Sequence, residues 1–482
     1  MKVLLLHPQV FSPGLIFAKA DPRRISLGLL YIAAVLEKSG HEVEVCFATK
    51  GNIHSIIEKT SPELVGFSVL TANYPYTKEL IRSAKKENPE IQIVLGGYHP
   101  TFCSDEVFKE TEAEFVIRGE GEKAMVQLVD AIEGRIGMSE VENLSYTMGG
   151  VVVNNEQGPL VDVNALPFPA RQKVNIPIPE ISESRGCPYS CSFCCIRNFY
   201  GGIWRPRSIP NIIEEVKYLK EELGYRRIQF QADNFLVDSN RVRALCKAIM
   251  DNRLDDLSYD CSCHIDALSS NPDLINLMAK AGWKSMNFGL ESGVQEILDK
   301  SYNKRIKIKQ VKAIAKRIQD AGILVGWTFI IGTGDEYDSE SYIKKSVDFL
   351  LSIPYDAVGL SLLTPFPGVP IFEKLKKENR ILSFDWSKYD MMHCVYKPER
   401  IAPSKMEKLH TEALWEIYTK GGPIRTFERA LKNLRANALS AREIFGLFKL
   451  GIRMYKNRKN IAETFDFYAK QYYEKIEDLC KI

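Results

Sequence analysis

Three cysteines, Cys187, Cys191 and Cys194, are spaced by four and then three positions, directly after a strand-like run. Thiolates at this spacing can wrap one corner of a cubane iron–sulfur cluster. A four-iron cluster on three protein sulfurs keeps one iron open. An open coordination position is how a metal centre performs chemistry instead of only holding a fold. The competing readings are a structural zinc site completed by Cys195 or a distant residue, and unliganded buried cysteines. Zinc knuckles usually carry paired CxxC units, and the sequence has no second pair. Cys195 cannot easily join the same cubane as adjacent Cys194 and reads as structural. Cys261 and Cys263 share one face of a predicted strand, as core residues or as a cavity wall. Cys46, Cys103, Cys246, Cys394 and Cys480 are isolated and read as buried or incidental.

The elements that must position this motif follow from patterning. The chain has 482 residues, enough for two or three domains at roughly 100–200 residues each. Hydrophobic content of 45% and charged content of 26% are those of a globular protein. A net charge of +3 argues against a nucleic-acid binder as a whole. No secretory leader and no membrane-length apolar run is visible, so eleven cysteines read as cytoplasmic, in a reducing compartment. From the start to about residue 134, short strands alternate with helices: Val3–His7, Val43–Phe47, Leu64–Val69, Ile91–Leu95 and Phe115–Arg118 are the strands. That rhythm predicts an α/β, Rossmann-like parallel sheet, which takes ligands at the carboxyl ends of its strands. Ser68, Thr71, Gly96, Gly97, Gly119 and Glu120 fall at or beyond those ends. Residues 135–180 read as a linker with a small hairpin. Between 181 and 397 the alternation resumes with six strands, which predicts a partial (β/α)6 barrel with its site on the C-terminal rim. Residues 398–482 read as a helical extension.

The CxxxCxxC run, with Phe193 before its third cysteine, resembles the radical S-adenosylmethionine superfamily. The resemblance implies a [4Fe–4S] cluster on Cys187, Cys191 and Cys194, with S-adenosylmethionine chelating the open iron. Reductive cleavage then yields a 5′-deoxyadenosyl radical, with the electron from an external donor such as flavodoxin or ferredoxin. The resemblance also places Phe193 near the adenine, Asp233 on the methionine ammonium, and Glu291 or Ser292 near the ribose. Gly332 and Gly334 fall in the glycine-rich stretch beside the adenine. Gln231-Ala232-Asp233-Asn234 departs from the family's usual Gly-Gly-Glu type sequence, and Asp233 as the cap of a turn is the alternative. His264 stands where many relatives carry a cation for the methionine carboxylate; a satisfied core histidine is the alternative.

The first domain has its own resemblance. Gly96-Gly97-Tyr98-His99-Pro100-Thr101 and Arg118-Gly119-Glu120-Gly121-Glu122 are similar to the cobalamin-binding domain that precedes the radical module in one large subgroup. The paired glycines imply close backbone approach to the corrin's nucleotide tail, with Ser68 and Thr71 hydrogen-bonding it. The cobalt-ligating Asp-x-His-x-x-Gly motif is absent, which puts a histidine lower ligand in doubt; a degenerate domain without corrin is the alternative. Near the C-terminus, residues 421–460 hold ten cations and two acids with interleaved apolar residues. This stretch reads as an amphipathic helix packed on the barrel, or as a peripheral membrane contact that admits a lipid-like substrate.

Together these readings predict a cobalamin-dependent radical enzyme that acts on a small or lipid-like molecule. It would abstract hydrogen from an unactivated carbon and transfer a methyl group. A non-methylating radical cyclase keeps both cofactors. A cobalamin- or lipid-binding protein with a structural cluster is the alternative of another class.

Overall fold

Strand β1 (Lys2–Pro8) sends alternate side chains to opposite faces, as a pleated strand must. Val3 and Leu5 pack with the helix Leu27–Lys38, while Leu4 and Leu6 join the other face. Four further strands, β2 (Glu42–Ala48), β3 (Leu64–Ser68), β4 (Gln92–Gly96) and β5 (Phe115–Ile117), lie parallel to it in the order β2-β1-β3-β4-β5. Strand order reverses between β1 and β3, and a crevice for a ligand opens at such a switch point. The computed structural model describes residues 1–9 and 24–420.

The expected hairpin forms from β6 (Leu144–Met148) and β7 (Val151–Asn154). It does not stand alone in a linker. β6 pairs antiparallel with β5, and the sheet grows to seven strands and becomes mixed. The physical reason is the edge: β5 alone would expose unpaired backbone groups, and the hairpin covers them.

The second sheet holds β8 (Glu180–Ser182), β11 (Arg227–Gln231), β12 (Ser258–Cys263), β13 (Trp283–Glu291), β14 (Leu324–Ile331) and β15 (Ala357–Leu362), all parallel and in chain order. β8 and β15 are its edges, so the barrel stays open. Phe230, Tyr259 and Trp283 pack together in its core with centroids 5.1–5.5 Å apart. The strand expected over Glu180–Ser184 breaks after Ser182. Its continuation, β9 (Ser184–Arg185), turns away to pair antiparallel with β10 (Arg205–Pro206).

One face of the first sheet, with Leu4, Leu6, Val65, Phe67 and Leu95, belongs to the same contiguous core as the barrel. Burying both faces costs nothing in exposed apolar area and fixes the two sheets against each other. Arg171 and Arg207 both pair with fully buried Glu215, which ties the segment before β8 to the barrel. The helix Pro403–Thr419 packs on β15, where Leu360 O lies 3.0 Å from His410 Nε2. No helix among the described residues is long and apolar enough to cross a membrane. The basic stretch 421–460, Cys480 and most of the helical extension lie outside the described residues.

Candidate active site at the junction of the two sheets

The cysteine loop leaves the fold at Arg185 and returns at Arg205, which face each other across the β9–β10 ribbon. Gly186 turns the chain with φ +83°, and a side chain there would collide with the Ile203 carbonyl. Its amide donates to Asp233 Oδ2 at 2.8 Å. Farther along, the Cys194 amide donates to Cys191 O at 3.2 Å. Amides of Tyr189 and Ile196 point at the Cys187 and Cys194 sulfurs.

A strap from residues 301 to 304 clasps the loop. Ser192 Oγ donates to Ser301 O at 2.6 Å, and Asn303 Nδ2 donates to Ser190 Oγ at 2.9 Å. Tyr302 meets Phe193 edge-on at 5.2 Å. Lys304 points inward, 3.0 Å from Glu291 Oε1 and 5.4 Å from the Phe193 ring centre. Burial disfavours its charge, but Glu291, Cys191 and Cys194 outweigh burial and its pKa rises. Burial raises the Cys187, Cys191 and Cys194 thiols, the last to about 11. Three half-buried sulfurs with amides and a cation directed at them form a donor set that a metal converts to thiolates. This set fits a [4Fe–4S] cluster.

The other expected residues fall in several places. Glu291, at φ +67°, faces Lys304 and takes a longer hydrogen bond from Thr328 Oγ1. Ser292 turns away: its Oγ accepts from Val294 N at 3.1 Å and meets Ser346 Oγ on the helix Glu340–Ser352. His264 stacks on Tyr189 at 4.8 Å with both ring nitrogens unpaired. Burial, with help from Lys304, depresses its pKa to about 3, so His264 is neutral and the cation beside the three thiols is Lys304. Gly332 and Gly334 sit in a loop held by Asp338, which accepts from Thr333 N at 2.6 Å and Gly334 N at 3.1 Å. Tyr302 OH donates to Gly332 O at 2.5 Å.

A cavity of about 890 Å³ joins the carboxyl ends of both sheets. Ser68, Thr71, Gly96, Gly97, Gly119 and Glu120 line it from the first sheet; Phe193, Cys194 and Asp233 line it from the second. Gly97 needs its missing side chain: at φ +104°, a Cβ would lie 2.6 Å from Val69 O. This glycine-floored cradle at the β1/β3 switch point suits a flat corrin. Cys195 also lines the cavity, beside Cys194, and packs against the core. Cys261 and Cys263 are buried core residues off the cavity wall. Glu120 carries its carboxylate to Arg185 and Arg205. Sequence reasoning gave no role to Lys304, nor to Tyr98 and Tyr389, which line the cavity. The only local signal for Tyr98 was its place after Gly97, and Lys304 stood among several other cations.

The B12 binding domain model matches residues 14–129, and the Radical SAM superfamily model matches residues 181–350. A bacteriochlorophyllide d C-12(1)-methyltransferase of Chlorobaculum tepidum is 30% identical over 335 residues, covering 69% of this chain and 70% of that protein. An anaerobic magnesium-protoporphyrin IX monomethyl ester cyclase of Cereibacter sphaeroides is 23% identical over 431 residues, covering 84% and 68%. The structure of TsrM, a radical S-adenosylmethionine methyltransferase of Kitasatospora setae, shares the fold with a TM-score of 0.70 at 16% identity, over 98% of this chain and 99% of that one. Its family's cofactors are a [4Fe–4S] cluster, S-adenosylmethionine and cobalamin. With the cluster loop and the glycine-floored crevice opening onto one cavity, the chain belongs to the radical S-adenosylmethionine enzymes that carry an N-terminal B12-binding domain.

Proposed function

We propose that this enzyme methylates an unactivated carbon of a small organic molecule held between its two sheets. The observation that carries this reading is the single cavity, walled by Cys194 on one side and by the glycine crevice on the other. When bound, the cluster and S-adenosylmethionine supply a hydrogen-abstracting 5′-deoxyadenosyl radical, and cobalamin supplies the methyl group. Cys187, Cys191 and Cys194 would hold the cluster. Asp233 anchors Gly186 with Oδ2 and offers its other oxygen to the methionine ammonium. Glu291, braced by Lys304, accepts from the ribose. Tyr98, Phe199 and Tyr200 wall the cavity beside Cys194 with aromatic surface, which excludes water from a reactive radical. A small external redox protein supplies the electron.

The likeness to the cyclase supports a second reading, ring closure with the same cofactors. Anaerobic reconstitution followed by iron, corrin and 5′-deoxyadenosine assays tests the shared part. Cys191→Ala abolishes the nucleoside while corrin binding persists, because the two cofactors sit on different sheets. Reconstituted parent protein that makes no 5′-deoxyadenosine sinks both readings. Product mass separates them: an added methyl group supports transfer, and loss of hydrogens without added carbon supports cyclisation.

A further inference from the structure

One carboxylate grips both necks of the cluster loop. Glu120 Oε1 accepts from Arg185 Nη1 at 2.7 Å and from Arg205 Nη2 at 2.9 Å. Its Oε2 accepts from Arg205 Nη1 at 3.0 Å and from the Val161 amide at 2.9 Å. Glu122 Oε1 takes the remaining fork of Arg185 at 2.6 Å. Two acids meet two guanidiniums, and side-chain exposures of 4% to 15% keep the group away from solvent. Each guanidinium also lies over a ring: Arg185 over Tyr31 at 5.0 Å, Arg205 over Tyr200 at 5.4 Å. Planar, bidentate, buried pairs of this kind fix geometry more than they add stability.

The placement gives that geometry a use. Glu120 directly follows Gly119 on the cavity wall of the first sheet. Cys187 stands two residues beyond Arg185, at most about 7 Å of chain. Between them, Gly186 is pinned to Asp233. No slack separates the corrin-side crevice from the first cluster thiol.

We propose that Glu120 and Glu122, acting through the positioning residue Arg185, lock the cluster loop to the first sheet and so set the separation and orientation of the two cofactors. The motif Gly119-Glu120-Gly121-Glu122 then serves the junction between the domains as well as the corrin crevice. The inference rests on the cofactor assignment above.

The test uses the full chain with reconstituted cluster and bound cobalamin. Electron paramagnetic resonance of the cob(II)alamin form, recorded with the cluster oxidised and then reduced, reads the dipolar relaxation one centre imposes on the other. In Glu120→Gln and Arg185→Lys molecules that hold both cluster and corrin, that relaxation enhancement is lost or smeared over many distances. Arg185→Lys keeps the charge and loses the fork, so its failure to rescue marks geometry and not charge balance. Should Glu120→Gln fail to fold, Glu122→Ala, which removes a single hydrogen bond, carries the test. Relaxation identical to the parent in every folded variant overturns the proposal. A parent protein with no corrin, or with no cluster, overturns the functional reading instead.

Discussion

Replacing Lys304 by methionine removes the cation from a buried pair and leaves the Glu291 carboxylate with one long hydrogen bond from Thr328. Glu291 is only 6% exposed, so water cannot repair the loss. Breaking one partner of a buried ion pair costs about 3–5 kcal/mol, a large share of a domain's total stability of roughly 5–15 kcal/mol. Replacing both charges by apolar groups is close to neutral, because the desolvation penalty disappears with the attraction. Lys304→Met should therefore lower the urea midpoint strongly, and the double variant Lys304→Met/Glu291→Met should recover most of it. Equilibrium unfolding under anaerobic conditions measures the cycle, with an expected coupling of about 2 kcal/mol or more. The same double variant, though stable, should make 5′-deoxyadenosine slowly, since Lys304 also faces Cys191 and Cys194. Simple additivity of the two single variants would refute the reasoning.

Other outcomes follow from buried groups elsewhere. Burial, aided by Lys78, depresses the His99 pKa to about 3, while the ring packs between Tyr74 and Trp386. The unfolded chain takes up this proton near pH 6.5 and the folded chain does not, so stability is complete above pH 6.5 and falls as pH drops toward 3. The loss should be about 2 kcal/mol between pH 6.5 and 5, and His99→Gln should remove that part of the slope in pH-dependent urea titrations. Gly97→Ala places a Cβ 2.6 Å from Val69 O at a φ of +104°. A cost of about 2–6 kcal/mol is expected, with loss of bound corrin measurable by absorbance. A stable, corrin-loaded Gly97→Ala protein would show that the crevice relaxes more than its backbone contacts allow.

Much of the site was legible because it is local. The Cys187, Cys191, Cys194 spacing is a property of one short loop, and Gly96-Gly97 sits at a strand end that any reader of the β/α rhythm reaches. The six barrel strands and five parallel strands came from runs of β-branched residues separated by amphipathic helices. Ser292 was paired with Glu291 because they are adjacent, yet adjacent residues at a strand end point to opposite sides, and only Glu291, at positive φ, meets Lys304.

The sequence by itself determined the spacing of the three candidate cluster cysteines and the strand–helix alternation behind both sheets, because spacing and periodicity encode backbone geometry over a few residues. Tertiary structure alone decided that Lys304 supplies the buried cation, that His264 is neutral, and that Glu120 joins Arg185 and Arg205. Those facts depend on which side chains lose their water together, and desolvation is a property of packing between segments far apart in the chain.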